Sequence, residues 1–212
     1  MANPPYDLPL APPVPVDAAL PVAMAMAGHL AWMERTGTLK ICRSTADIRA
    51  CMATGTIAAI MHMEGAEGIG PDLDALHVWH AAGPRSVGPV WSRPTAFGNG
   101  VPSRYPGTPD TGDGLTDAGK HLIRECNALK IMIDLSHMNE KGFNDIAAIS
   151  DAPLVATHSN VHAICPSTRN LTDRQLAMIA DSNGMVGLNF ATVFLNPNGR
   201  KNDHPGWDPV LR

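Results

Sequence analysis

The chain has 212 residues, enough for one domain with a substantial core or for part of a larger domain. Its 16 basic and 20 acidic residues leave a net charge of −4, and no basic stretch stands out. A surface that follows nucleic-acid phosphates is therefore not expected. The four cysteines are too sparse for a disulfide framework and form no Cys-x-x-Cys pair. Cysteines this sparse predict core thiols in a protein of a reducing, cytoplasmic compartment. The four are Cys42, Cys51, Cys126 and Cys165.

The N-terminal segment is rich in proline, with seven prolines among the first 21 residues. Such a run is not expected to hold a helix or a central strand, so residues 1–16 are predicted to form an extended arm. A helical pattern then runs from about Asp17 to Thr36. The apolar stretch Ala18 to Ala27 is shorter than a bilayer-spanning helix, and no Lys or Arg precedes it. No membrane span is expected, and residues 17–212 are predicted to form one domain.

After a short helix that Ser44 would cap, short apolar runs alternate with amphipathic helical patterns. A long loop is expected over 92–114. The predicted strands are 56–61, 86–91, 131–135, 154–157 and 184–190. The predicted helices are about 44–54, 72–82, 115–129, 139–149 and 172–182.

This alternation predicts an α/β fold, in which helices cover a parallel sheet. About five β/α units are visible, and a closed (β/α)8 barrel takes roughly 250 residues, so the chain fits part of a TIM-like barrel. A doubly wound sheet is the competing fold. Because no Gly-x-Gly-x-x-Gly or P-loop motif follows a strand, its nucleotide-binding versions lose support.

Polar residues fall where the predicted strands end: Glu64, His137, His158 and Asn189. The carboxyl ends of parallel strands meet at one edge of the sheet, so a carboxylate and two imidazoles would converge there. Such a ligand set suits zinc. Each residue taken alone is more often a capping or hydrogen-bonded loop residue, and His162 is intermediate because it lies in the loop beside His158. A structural role is expected for His29, His62, His77, His80, His121 and His204.

Several motifs occur together in one order. They are Met-His-Met-Glu-Gly-Ala at 61–66, Gly-Leu-Thr-Asp-Ala-Gly at 114–119, Asp-Leu-Ser-His at 134–137, Thr-His-Ser-Asn at 157–160 and Thr-Arg-Asn-Leu-Thr-Asp at 168–173. As a set they resemble the membrane (renal) dipeptidase family of metallopeptidases, in its bacterial branch. The resemblance runs from about Ala46 to Leu195.

The resemblance implies a TIM-like metal-dependent hydrolase barrel with two zinc ions, bridged by a glutamate and a hydroxide. Glu64 would be the bridging, catalytic carboxylate, and His137 and His158 would bind the second zinc. Arg169 would pair with the C-terminal carboxylate of the substrate, for which its guanidinium offers a bidentate fork. The implied activity is zinc-dependent hydrolysis of the amide bond of dipeptides or similar N-acyl amino acids.

Three features depart from that family. No His-x-Asp pair for the first zinc precedes Glu64, and the aspartate that the family carries on a later strand is not found. Trp91 stands where the family usually has a histidine. The expected explanation is a barrel fragment, whose open sheet edges would favour assembly, for example as a homo-oligomer.

Two alternatives to a dipeptidase stay open on the sequence. One is a catalytically inactive fragment or pseudoenzyme that binds one zinc ion or none. The other is a non-peptidase metal amidohydrolase that opens a lactone or cyclic amide on the same barrel.

Overall fold

A computed structural model describes residues 3–201, which contain six α-helices and one short 3-10 turn at Thr192–Phe194. The sequence-predicted helices are all present, with ends that differ from the predicted ones by at most two residues. The helices are α1 (Val16–Arg35), α2 (Thr45–Thr54), α3 (Asp74–Ala82), α4 (Asp117–Leu129), α5 (Glu140–Ile149) and α6 (Asp173–Asp181).

Helix starts follow from side-chain caps. The Ser44, Thr116 and Asn139 side chains each accept a hydrogen bond from a backbone N–H three residues further on. At α6, Thr172 and Gln175 form a reciprocal capping box. Such caps satisfy backbone donors that the first helical turn leaves unpaired, which is why these helices begin where the sequence predicts.

Nine short strands are found in the described residues, and most pair in parallel ladders. The parallel groups are β2–β3, β4–β5–β7 and β8–β9, and a parallel bridge between Asp134 and Val155 joins the last two groups. The α/β prediction is therefore confirmed. The strands are β1 (Tyr6–Asp7), β2 (Lys40–Ile41), β3 (Ala58–Ala59), β4 (His62–Glu64), β5 (Ser86–Gly88), β6 (Arg104–Tyr105), β7 (Met132–Ile133), β8 (Val155–Ala156) and β9 (Met185–Val186).

Three predicted strands differ clearly from the observed ones, and the strand predicted at 184–190 is reduced to the two residues of β9. Of the run predicted at 56–61, only Ala58–Ala59 is strand, as β3 paired with β2, and β4 begins after this run, at His62, where it pairs with β5. The strand predicted at 86–91 ends at Gly88, because Pro89 has no N–H to donate to a neighbouring strand.

The N-terminal arm is not wholly free of regular structure. Its β1 pairs antiparallel with β6, which lies inside the segment predicted as a long loop. The helix predicted from about Asp17 begins one residue earlier, at Val16, and it includes Pro21, although a proline-rich run is not expected to hold a helix. Pro15 occupies the N-cap position, and Pro21 removes only one backbone donor, close to the start of a 20-residue helix.

The largest apolar cluster lies between the sheet and α3, α4, α5 and α6. Leu122, Ile123, Phe143 and Ile146 are completely buried in it, where α4 packs against α5. These residues recur at helical spacing, which is the apolar stripe that the sequence predicts for α4 and α5. This packing holds α4 and α5 in place on either side of β7 in the chain, and the segment after β7 carries His137.

Helix α1 is long and apolar enough to cross a membrane by length and composition. That is weak evidence, because the helix lies near the N-terminus and turns Leu20, Ala23 and Ala27 toward the main apolar cluster. The absence of a membrane span therefore stays a prediction.

Candidate metal centre

Three side chains converge at the carboxyl edge of the parallel sheet, from β4 and the segments after β7 and β8. The Oε1 atom of Glu64 lies 3.1 Å from Nε2 of His137 and 3.0 Å from Nε2 of His158. The two Nε2 atoms are 3.1 Å apart. The structure thus brings together the three residues that the sequence places at strand ends, while their role as metal ligands stays a prediction.

The local backbone explains this convergence. Glu64 is the last residue of β4, and Gly65 then turns the chain with a φ of 94°. His137 itself adopts a left-handed conformation with a φ of 69°. A non-glycine residue rarely adopts that conformation, so the surrounding contacts must hold it there. The His158 backbone N–H donates to the Ser136 hydroxyl, which links the two histidine-bearing segments.

The ionisation of the three groups suits a cation. The hydrogen bond with His137 is the main cause that lowers the pKa of Glu64, to about 2. Burial lowers the pKa of His137 to about 4, and burial also lowers the pKa of His158. At neutral pH the cluster therefore holds one carboxylate and two neutral imidazoles, the forms that bind metal ions.

The donor set fits a divalent metal. Among residues 3–201, the group of side chains that could bind a metal ion consists of Glu64, His137 and His158. One donor atom from each lies within 4.8 Å of the others. Two imidazole nitrogens and one carboxylate oxygen form a set typical of catalytic zinc, which keeps a further position for water or substrate.

A polar layer beneath the cluster orients both histidines. The Ser92 hydroxyl lies 2.9 Å from Nδ1 of His137, and the Thr157 hydroxyl lies 2.8 Å from Nδ1 of His158. Thr157 also donates to the buried carboxylate of Asp134. Sequence reasoning assigned no function to Ser92, Asp134 or Thr157. The available signal was that Asp134 and Thr157 lie within the same short motifs as the two histidines.

His62 lies in the same layer. It precedes Glu64 by two residues on β4, and alternate residues of a strand point to the same face. Its Nδ1 is 2.8 Å from the Ser86 hydroxyl, and its Nε2 is 3.5 Å from Oδ2 of Asp134. The structural role predicted for His62 agrees with these contacts.

The remaining polar candidates lie outside the convergent group. His162 donates from Nε2 to the Gly107 carbonyl at 2.8 Å, and the Asn189 backbone N–H donates to Asn160. His204 lies outside the described residues.

Arg169 is buried directly behind His158. Its Nη2 donates to the His158 carbonyl at 2.8 Å and its Nη1 donates to the Ser159 hydroxyl at 2.9 Å. Its Nε is buried and finds no hydrogen-bond partner among residues 3–201. Burial lowers the pKa of Arg169 to about 10, so the group stays positively charged at neutral pH. Its predicted contact with a substrate carboxylate stays a prediction.

Trp91 and Arg93 form one wall beside the cluster. The Trp91 ring centre lies 5.9 Å from that of His137, and the Arg93 guanidinium lies 5.1 Å from the Trp91 ring centre. Together with Glu64 and Glu67 they line an open recess of about 270 Å³. The predicted loop therefore borders the site with its first residues.

A helix-covered parallel sheet with two imidazoles and a carboxylate at its carboxyl edge is typical of metal-dependent α/β hydrolases. The family model described as membrane dipeptidase, peptidase family M19, matches residues 16–205. The chain belongs to this family, as its motifs predict.

Solved structures give the same result for the fold. One is the crystal structure of a metallo peptidase from Rhodobacter sphaeroides, liganded with a phosphinate mimic of the dipeptide L-Ala-D-Ala. The sequence of that protein is 66% identical to this chain. It superimposes with a TM-score of 0.96 over 99% of this chain and 60% of that chain. The prediction of a partial TIM-like barrel of this family is thereby confirmed.

Curated relatives are longer than this chain. A Klebsiella pneumoniae protein named for the pqqA 5′ region is 49% identical over 176 residues, which is 83% of this chain and 65% of that protein. The dipeptidase tcpJ of Claviceps purpurea is 27% identical over 73% of this chain and 36% of its own length. The chain thus spans less than two thirds of the relatives that it matches.

Proposed function

We propose that this protein is a zinc-dependent dipeptidase that hydrolyses the amide bond of a dipeptide or a similar N-acyl amino acid. The observation that carries the proposal is the convergence of Glu64 Oε1 with the Nε2 atoms of His137 and His158 within about 3 Å. Family membership and a similar structure that holds a dipeptide mimic support the substrate class.

Glu64, His137 and His158 would hold the metal. A bound zinc ion would polarise the scissile carbonyl and lower the pKa of the attacking water. The chain's own contribution is to keep Glu64 ionised and to present neutral imidazole nitrogens. Trp91 is 37% exposed, so one face of its ring stays open to a ligand in the recess.

Arg169 would recognise the carboxylate of the substrate. Its buried positive charge lies next to His158, and its Nε–H donor has no partner in the part of the chain that the structure describes. Pairing with an ionised carboxylate is worth roughly 1.5–3 kcal/mol, or about 10- to 150-fold in kcat/KM. The loss caused by Arg169→Ala should therefore vanish for a substrate whose carboxylate is amidated, and an equal loss on acid and amide forms would contradict this role.

Zinc binding by the purified chain tests the metal site directly. We expect about one tightly bound zinc ion per chain, abolished by His137→Gln and unchanged by the matched variant His121→Gln, whose side chain is exposed on α4. A wild-type chain that binds no zinc under these conditions would contradict the proposed site.

Hydrolysis is tested separately. We expect slow turnover of L-Ala-L-Ala and L-Ala-D-Ala by this chain. The reason is that the His-x-Asp pair expected to bind the first zinc is not found in the sequence. The longer Rhodobacter sphaeroides protein serves as the positive control. Turnover by this chain at ~1–10³ s⁻¹ would show that the missing pair is not needed.

A further inference from the structure

A chain of hydrogen bonds runs from a buried carboxylate to the rear nitrogen of His158. Oδ2 of Asp134 lies 2.5 Å from the Thr157 hydroxyl, and that hydroxyl lies 2.8 Å from Nδ1 of His158. Asp134 is 1% exposed, so water does not compete for these contacts. The order of groups is therefore carboxylate, hydroxyl, imidazole.

The direction of each bond follows from which atoms carry protons. Oδ1 of Asp134 accepts the backbone N–H groups of Ser136 and Thr157, both at 2.9 Å, so the carboxylate acts as an acceptor on that side. An ionised carboxylate has no proton to give, and a threonine hydroxyl has only one. That proton goes to Oδ2 of Asp134. The Thr157 oxygen must then accept a proton from Nδ1–H of His158.

A neutral imidazole carries one proton, so a proton on Nδ1 leaves a lone pair on Nε2. The Nε2 atom is the one that faces Glu64 Oε1 at 3.0 Å and His137 Nε2 at 3.1 Å. We propose that Asp134 and Thr157 are positioning residues that hold His158 in the Nδ1–H tautomer, so that its Nε2 lone pair is directed at the proposed zinc site. This inference rests on the proposed function for its purpose, although the tautomer itself can be measured without metal.

The isosteric change Asp134→Asn separates this role from simple packing. The new amide can donate to the Thr157 oxygen, which frees the hydroxyl proton to bond Nδ1 of His158. The imidazole proton then moves to Nε2, where it blocks metal binding. An aspartate-to-asparagine change behind a catalytic histidine is known to act through the wrong tautomer while leaving the geometry intact.

The first measurement is the tautomer of His158 in the metal-free chain, by long-range ¹H–¹⁵N NMR correlation at pH 8. The His158 signal is assigned by its loss in His158→Gln. We expect Nδ1–H in the wild-type chain and Nε2–H in Asp134→Asn. An Nε2–H tautomer in the wild type, or an unchanged tautomer in Asp134→Asn, would overturn the inference.

The second measurement is zinc affinity by competition with a chelator. Loss of a partner that orients a metal-ligating histidine typically lowers affinity roughly 10- to 100-fold. We expect that loss in Asp134→Asn and in Thr157→Val, whereas Thr157→Ser keeps the hydroxyl and should restore wild-type affinity. If Asp134→Asn does not fold, the difference in zinc affinity between Thr157→Val and Thr157→Ser still tests the positioning role. Equal affinity of the two Thr157 variants would overturn the positioning role.

The two measurements also separate this inference from the proposed function. A wild-type chain that shows the Nδ1–H tautomer but binds no zinc would contradict the metal site and support the positioning of His158. A chain that binds zinc with unchanged affinity in all variants would support the metal site and overturn the positioning role.

Discussion

The Nε2 atoms of His137 and His158 lie 3.1 Å apart although the residues are separated by 21 positions in the chain. Each histidine follows a strand of the same parallel ladder system, and the bridge between Asp134 and Val155 joins those strands. When both Nε2 atoms are unprotonated, as metal binding requires, they repel each other at this distance unless a cation lies between them. The contact is therefore favourable when the site holds a positive ion.

Replacing Glu64 by Gln should weaken zinc binding at least 10-fold, because the variant removes the negative charge of the three-residue group. The change keeps the shape of the side chain, and because the lowered pKa of Glu64 means that its ionised form stabilises the fold at neutral pH, the free energy of unfolding should also fall, by an amount that the 46% exposure of the side chain limits. Calorimetric titration with zinc measures the effect, and Glu125→Gln on α4 is the matched control. Unchanged affinity in Glu64→Gln would remove Glu64 from the site.

Replacing Arg169 by Ala should destabilise the chain by ~1–3 kcal/mol, apart from any effect on substrate. The variant leaves the His158 carbonyl and the Ser159 hydroxyl without their buried donor. Urea unfolding measures the difference. Arg124→Ala is the control, because Arg124 is exposed on α4, where it donates to the Lys120 carbonyl at 3.4 Å. Equal midpoints for the two variants would contradict a structural role.

The positions of Glu64, His137 and His158 could be predicted because each follows an apolar run, and parallel strands end at one edge of the sheet. The helix starts at Ser44 and Thr172 could be predicted because their caps are local. Local patterns carry this information without any knowledge of the tertiary structure.

The orienting contacts could not be predicted in the same way, because they join distant parts of the chain. Ser92 reaches His137 across 45 positions, and Asp134 reaches Thr157 across 23. The pairing of β1 with β6 is likewise set by the tertiary structure, since neither dipeptide shows a strand pattern. The burial of Arg169 also depends on how its loop packs beneath His158.

Cys126 should resist alkylation in the folded chain. It is completely buried, and burial raises the pKa of its thiol to about 12, so almost no reactive thiolate exists at pH 8. We expect iodoacetamide at pH 8 to leave Cys126 unmodified in buffer and to modify it fully in 8 M urea at roughly the unfolded-chain rate. Peptide mass spectrometry reads both conditions. Rapid native modification of Cys126 would contradict its place in the core between α4 and the sheet.

Two helical glycines should respond in opposite ways to the same substitution. A Cβ added at Gly119, in α4, would lie 2.0 Å from the Phe97 carbonyl oxygen, whereas a Cβ at Gly28, in α1, would meet no atom of the described residues within 4 Å.

Gly119→Ala must push α4 away from the Phe97 segment, at a cost of ~1–3 kcal/mol or more. Gly28→Ala should stabilise the chain by ~0.5–1 kcal/mol, because alanine loses less backbone entropy than glycine in a helix. Urea unfolding of the two variants beside the wild type measures both signs. If Gly119→Ala were as stable as the wild type, the close approach of α4 to the Phe97 carbonyl would be wrong. If Gly28→Ala were destabilising, α1 would pack against a surface that the described residues do not show.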